Sequence, residues 1–331
     1  MRSVSVSAVI PVYNNGHYIA AALKSVVDQT APATEIIVVD DGSTDDTAAA
    51  LRPYRDQIRY LYQANQGEPS ARNRGIRQAT STYIAFLDGD DLWLPNKLEL
   101  QTEYLQRHPE CALVYSDMST FDEQGIIDAS VRKRFGMSFQ SGRIFQTLFK
   151  RALFGSGTVV FRKDCVEKVG YFDESLLVGS DYEMWLRIAR NFDVGFIDQP
   201  LLMYRHHASM STRGIGRKMC NGVPWEVAVL NKILRQYPEA VDELGKLIIS
   251  HRISTPYAGL ALTQFRQSEY REARTLFRKA AAHWPTNVRY WAFYGATFLH
   301  PAQIEAARKL YHHFSISRNT DSTGAAKAAR S

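Results

Sequence analysis

The first 90 residues alternate between two hydrophobic patterns. "VSVSAVIPVY" (4–13), "EIIVVDD" (35–41), "IRYLYQ" (58–63) and "YIAFLD" (83–88) are short, apolar and rich in β-branched or aromatic residues, which predicts strands. Between them, "HYIAAALKSVVDQT" (17–30), "TDDTAAALRPY" (44–54) and "PSARNRGIRQAT" (69–80) have helical spacing. Ser43 and Thr44 are candidate N-caps for the second of these helices, and Pro69 suits the first turn of the third. Strands alternating with helices predict an α/β fold: a mostly parallel, Rossmann-like sheet covered by helices on both faces. In such sheets the ligand crevice lies beyond the carboxyl ends of the strands, where Asp40, Asp41 and Asp88 stand.

The pattern then becomes mixed. "ALVYSDMSTFDEQG" (112–125) predicts a strand and turn, "GTVVFR" (157–162) a strand, "SDYEMWLRIARNF" (180–192) an amphipathic helix and "LLMYRHH" (201–207) a last strand. From residue 224 the spacing is helical throughout, with a repeat of period 34. It pairs Tyr257 with Trp291, Ala261 with Gly295, Ala273 with Ala307 and Phe277 with Tyr311. Small residues where two helices touch and aromatics in the seam resemble about two tetratricopeptide repeats, with Pro285 closing the first. Residues 315–331 lack apolar periodicity and read as a disordered tail.

Charge marks a boundary. Residues 1–220 hold 25 Lys and Arg against 26 Asp and Glu, and residues 221–331 hold 15 against 8. The shift falls at "GIGRKMCNGVP" (214–224), so the expected division is 1–220, a helical region 221–314 and the tail. The basic second part suits an anionic partner such as a membrane surface, or equally a solvated helical face or a protein-binding repeat. No apolar run approaches the roughly 18–20 residues of a spanning helix, and the N-terminus does not read as a signal peptide. Cys111, Cys165 and Cys220, odd in number and far apart, suit a reducing compartment and buried packing.

The sharpest chemical signal is "YIAFLDGDDLWLP" (83–95), where an apolar run ends in Asp88, Asp90 and Asp91. Like charges this close repel one another. A turn of solvated acids is one reading. A calcium loop is not, because its fifth and sixth positions would be Leu92 and Trp93. A third reading is a hard divalent cation held by one or two carboxylates and the phosphates of a substrate. Elsewhere, Asp40 can accept hydrogen bonds at its strand end, and Tyr13 reads as a half-buried aromatic. Arg72 lies in the first turn of a helix, where the macrodipole disfavours a cation unless an anion is near. Asp181 at a helix start reads as a carboxylate that caps the helix and complements its dipole.

"IPVYNN" (10–15), "VVDDGSTDDT" (38–47), "NQGEPSARNRG" (65–75) and "FLDGDDLWLPNKL" (86–98), followed more loosely by "GSDYEMWLRIA" and "YRHHASMS", resemble family 2 glycosyltransferases of GT-A fold over about residues 4–212. The resemblance implies an inverting, metal-dependent transferase of surface polysaccharide or glycoconjugate synthesis. It implies that Pro11, Tyr13, Asp40, Arg72, Asp88 and Asp90 bind the nucleotide-sugar, UDP-linked by family frequency. Asp90, Asp88 and His207 would hold Mn²⁺ or Mg²⁺, and Asp181 would be the base. Serine stands at 180 where relatives have a glutamate before that base. The implied acceptor is a sugar, a lipid-linked molecule or a protein; the implied location is cytoplasmic, peripheral at the membrane's inner face, and no nucleic acid is involved. The alternative is a non-catalytic GT-A-like scaffold working through its helical repeats.

Overall fold

The structure is a computed structural model that describes residues 4–208, 210, 219–220, 222–299 and 302–304. The chain divides into two compact units, one of Met1–Asn221 with Trp225–Leu244, the other of Gly222–Pro224 with Gly245–Ser331.

The first unit is built on a nine-stranded sheet: β1 (Val6–Val12), β2 (Glu35–Asp40), β3 (Arg59–Tyr62), β4 (Tyr83–Phe86), β5 (Leu92–Trp93), β6 (Cys111–Asp122), β7 (Gly125–Asp128), β8 (Val159–Arg162) and β9 (Asp193–Arg205). Their order is β3-β2-β1-β4-β8-β6-β9-β5, with β7 beside β6. β3, β2, β1 and β4 are parallel, as the alternation predicted. Beyond β4 the sheet is mixed, because β8 runs antiparallel to both β4 and β6 while β6 and β9 are parallel. Both faces are covered, so β1 is buried at every position, which explains its continuous apolar run. Ala8, Ile10 and Val12 face the helix Ile19–Val27 in one core. On the other face the helix Glu68–Gln78 approaches so closely that a Cβ on Gly75 would lie 2.2 Å from Cγ1 of Val9.

The predicted helix over 44–54 shortens to Thr47–Ala50 and a 3₁₀ turn, Arg52–Tyr54, that contains Pro53. Ser43 and Thr44 are not its caps. Ser43 Oγ accepts from the Asn14 amide at 2.9 Å, and the Thr44 amide donates to Asn14 Oδ1 at 2.8 Å, tying the ends of β1 and β2 together.

The first unit also runs past the expected boundary at 220. The helices Trp225–Gln236 and Ala240–Leu244 belong to it. They are held by side chains that charge counting does not register, such as Arg190 between Glu239 (3.2 Å) and Glu243 (2.7 Å). In the second unit the helices Lys246–Arg266 and Tyr270–His283 pack as a hairpin. Ala261, Ala273 and Phe277, three of the repeat positions, are fully buried in its seam. Ala307, Tyr311 and the tail 315–331 lie outside the described residues. Among the described residues no helix is long and apolar enough to cross a membrane. Cys111 and Cys165 are buried, and Cys220 is half-buried.

Candidate active site

Parallel pairing sets Val12 beside Asp40 and ends β4 next to β1, so the loops after β1, β2 and β4 leave from the same end of the sheet. Tyr13 emerges with its side chain about half exposed, at 48%. Pro11 is buried within β1 opposite Val39 and shapes the strand end that presents Tyr13. Asp40 is buried, its two oxygens taking the Ser43 amide at 2.8 Å and the Tyr60 hydroxyl at 2.6 Å. Burial and that bond to Asp40 push the Tyr60 hydroxyl upward, so it stays protonated as a donor. Asp41 is structural: it accepts from Gln63 Nε2 (2.7 Å) and from the amides of Gln66 (2.9 Å) and Gly67 (2.8 Å). It thereby fixes the turn into the helix Glu68–Gln78.

That helix delivers Arg72, which is buried and donates from Nη2 to Asp88 at 2.9 Å and to Glu68 at 2.5 Å. Phe86 and Phe172 lie under the guanidinium at 5.8 and 5.7 Å. Burial works against its charge, but Glu68, Asp88 and Asp181 outweigh burial and raise its pKa. The anion that the helix start demanded is therefore supplied by the protein itself. Among the described residues, buried Arg72 Nε has no hydrogen-bond partner.

The acids at the tip of β4 separate by partner. Asp88 faces Arg72. Asp90 Oδ2 meets His207 Nε2 at 3.0 Å. Asp91, 1% exposed, takes the Arg205 amide at 2.8 Å, while Arg205 Nε donates to the Asp90 carbonyl at 2.6 Å. These two bonds fix the end of β9 and so bring His207, two residues on, to Asp90. Burial, together with Asp88, raises the Asp90 carboxyl against the pull of His207. Asp91 is raised further, by burial first and then by Asp90 and Asp88. Among the described residues no three His, Cys, Asp or Glu are grouped so as to hold a metal by themselves. Asp90 and His207 do offer an oxygen and a nitrogen side by side. That fits a cation that takes its remaining ligands from substrate phosphates.

Asp181 opens the helix Ser180–Asn191 after Gly179, whose φ of 76° is left-handed. Its Oδ1 accepts the Tyr182 amide at 2.7 Å. Burial raises its pKa, with Asp88 adding to the rise and Arg72 and the Tyr182 amide opposing it. Arg72 thus links the strand-tip acid Asp88 to Asp181 through one electrostatic field.

Pattern reading missed three contributors. Glu68 pairs with Arg72, a contact its i,i+4 spacing could have signalled. Asn73 is buried and binds the loop before Asp181, donating to the Phe172 carbonyl and accepting its amide, both at 2.9 Å. Tyr60 on β3 completes Asp40. The last two carried no local signal, since each acts on a segment distant in sequence.

Residues 7–170 match the family model described as glycosyl transferase family 2. That segment belongs to the family. Relatives include an uncharacterized glycosyltransferase of Rickettsia prowazekii, 34% identical over 62% of this chain and 65% of that protein. Another is the Escherichia coli UDP-Glc:alpha-D-GlcNAc-diphosphoundecaprenol beta-1,3-glucosyltransferase WfgD, 28% identical over 64% of this chain and 80% of that protein. The chain thus spans slightly less than two thirds of the Rickettsia protein. The fold is that of S. aureus TarS 1–349 solved in complex with UDP-GlcNAc, with a TM-score of 0.55, 17% identity and 92% of each chain covered. The family 2 sheet is of GT-A type, as the motifs implied.

Proposed function

We propose that this family 2 protein transfers a sugar from a nucleoside-diphosphate donor, UDP-linked, to an acceptor hydroxyl, with inversion, in surface polysaccharide or glycoconjugate synthesis. The observation that carries the reading is the shared field of Arg72: one buried guanidinium bonds Asp88 at the strand tip and draws on Asp181 at the helix start. Donor-binding and proton-accepting groups therefore sit within one electrostatic unit. The carrier is favoured by the TarS complex with UDP-GlcNAc and by the UDP-Glc named for the E. coli relative.

In this reading the acceptor oxygen bonds to the anomeric carbon as that carbon's bond to the diphosphate oxygen breaks. The bonding electrons leave with the diphosphate, and the hydroxyl proton passes to a carboxylate oxygen of Asp181. Asp40 and Tyr13 bind the nucleoside end, with Pro11 beneath them. Arg72 and Asp88 orient the diphosphate and the ribose. A divalent cation, Mn²⁺ or Mg²⁺, would be held by Asp90 and His207 beside Asp88 and would offset charge on the departing diphosphate. The raised pKa of Asp181 favours proton uptake without a covalent intermediate. The acceptor we favour is lipid-linked, drawn to the protein by the basic balance of residues 221–331.

The test is thermal stabilisation by a panel of nucleoside diphosphates with Mn²⁺, Mg²⁺ or a chelator, followed by UDP release from UDP-sugars. UDP-selective stabilisation and release that Asp181→Asn slows about 10²-fold or more are expected. Asn still caps the helix, so folding should be normal. Asp181→Asn at full rate removes Asp181 as the base, and no nucleotide binding at all overturns the reading in favour of a scaffold.

A further inference from the structure

The helix Trp225–Gln236 and the helix Ser180–Asn191 that carries Asp181 both lie beyond the segment that matches the family, and the two pack against each other. We infer that Lys232 and Trp225 on the former helix are positioning residues for the Asp181 base, holding it in register with Arg72 and Asp88. The inference rests on the reading of Asp181 given above.

Two contacts carry it. Lys232 Nζ lies 2.5 Å from Glu183 Oε1 and 2.8 Å from Asp173 Oδ2. Glu183 stands two residues after Asp181 on the same helix, and its side chain is fully buried. The Trp225 ring covers Gly179, two residues before Asp181, where a Cβ would come within 2.3 Å of Cε3. It also stands edge-on to Tyr182 at 6.3 Å. The base is therefore bracketed on both sides by one external helix.

The bracket continues to the donor side. Glu183 is bidentate with Arg187 at 2.8–3.1 Å, and Arg187 donates to the carbonyls of Val169, Gly170 and Tyr171. The next residues of that loop are gripped by Asn73, the neighbour of Arg72, and by Lys232 through Asp173. Arg72 and Asp181 are thus joined through Asn73, the loop 169–173, Lys232 and Glu183. Lys232 is the member shared by the loop and the base's helix. Its own side chain is 31% exposed, so solvent partly screens the ion pair with Asp173. What it supplies is registration of the helix start, and misplacing a reacting group by about 1 Å can cost about 10² in rate.

The experiment compares the full-length wild type with Lys232→Met, Lys232→Arg and Trp225→Leu. It measures UDP affinity with Mn²⁺, UDP release from UDP-N-acetylglucosamine and UDP-glucose with water as acceptor, and amide hydrogen exchange over 176–184. Lys232→Met should speed exchange there about tenfold, keep UDP affinity within about twofold, and lower the maximal rate roughly tenfold to a hundredfold. Lys232→Arg, which can bridge the same two carboxylates, should restore both exchange and rate. Trp225→Leu should follow Lys232→Met. Wild-type exchange over 176–184 in Lys232→Met overturns the inference whatever the hydrolysis rate. So does a parallel fall in UDP affinity, rate and melting temperature, which would mean a role in folding only. An inactive Asp181→Asn beside a fully active Lys232→Met removes this inference alone, whereas an active Asp181→Asn removes the reading beneath it.

Discussion

Asp90 and His207 stand 3.0 Å apart although 117 positions separate them. The imidazole is the nearest group that offsets the carboxylate, whose pKa burial and Asp88 would otherwise raise further. His207→Ala should therefore lower UDP affinity in Mn²⁺ by about tenfold or more, the order seen when support to a metal ligand is lost. Affinity measured in a chelator should not change. Asp90→Ala should abolish the metal-dependent part while leaving the fold intact, because a repelling charge is removed. Calorimetric titration of UDP with and without Mn²⁺ checks both.

Arg72 opposes the upward shift that burial imposes on Asp181. Its positive charge is the largest influence opposing the effect of burial on that carboxyl. Arg72→Met should shift the acid limb of the rate–pH profile to higher pH, besides weakening UDP binding. A limb that stays in place would disconnect the two residues.

In the wild type Asp181 titrates above an ordinary aspartate. Asp181 is raised from 3.8, so the rate should begin to fall on acidification at a pH above that value. Asp173 behaves oppositely: burial alone would raise it, but hydrogen bonds from Lys232 and Ser175 hold it at about 2. Its folded pKa lies below the ordinary 3.8, so on acidification the unfolded chain takes up the proton first. The stability Asp173 contributes is complete above 3.8 and is lost as pH falls toward about 2. Activity should thus fail at a higher pH than this contribution to stability, which rate and melting-temperature profiles in the same buffers would show.

Gly75 is a packing requirement. A Cβ there would meet Cγ1 of Val9 at 2.2 Å, in a strand that is buried throughout. Gly75→Ala should destabilise by about 1–3 kcal/mol through overpacking. Adding Val9→Ala should recover part of that loss, a non-additivity that denaturant titration of the single and double variants would reveal.

The sequence by itself determined the local elements and their chemistry. Strands β1 to β4, the helix entered at Pro69 and the helix starting near Asp181 were legible, because hydrophobic period and caps are set by near neighbours. So was the carboxylate cluster at the tip of β4, since topology places strand ends of parallel units at a crevice. Only the tertiary structure decided what each acid does. Asp88, Asp90 and Asp91 look alike in sequence, yet one meets Arg72, one His207 and one the main chain of Arg205. The same holds for Asp40 and Asp41, where the first binds Tyr60 and Ser43 and the second builds a turn. Ser43 and Thr44, good caps by type, bind Asn14 instead, because β1 and β2 end side by side. Trp225 and Lys232 carried no signal, since an amphipathic helix does not announce which other helix it will brace. Local propensity depends on residues a few positions apart. Partner choice among identical side chains depends on strand register and helix packing, which here join residues from 16 to 117 positions apart.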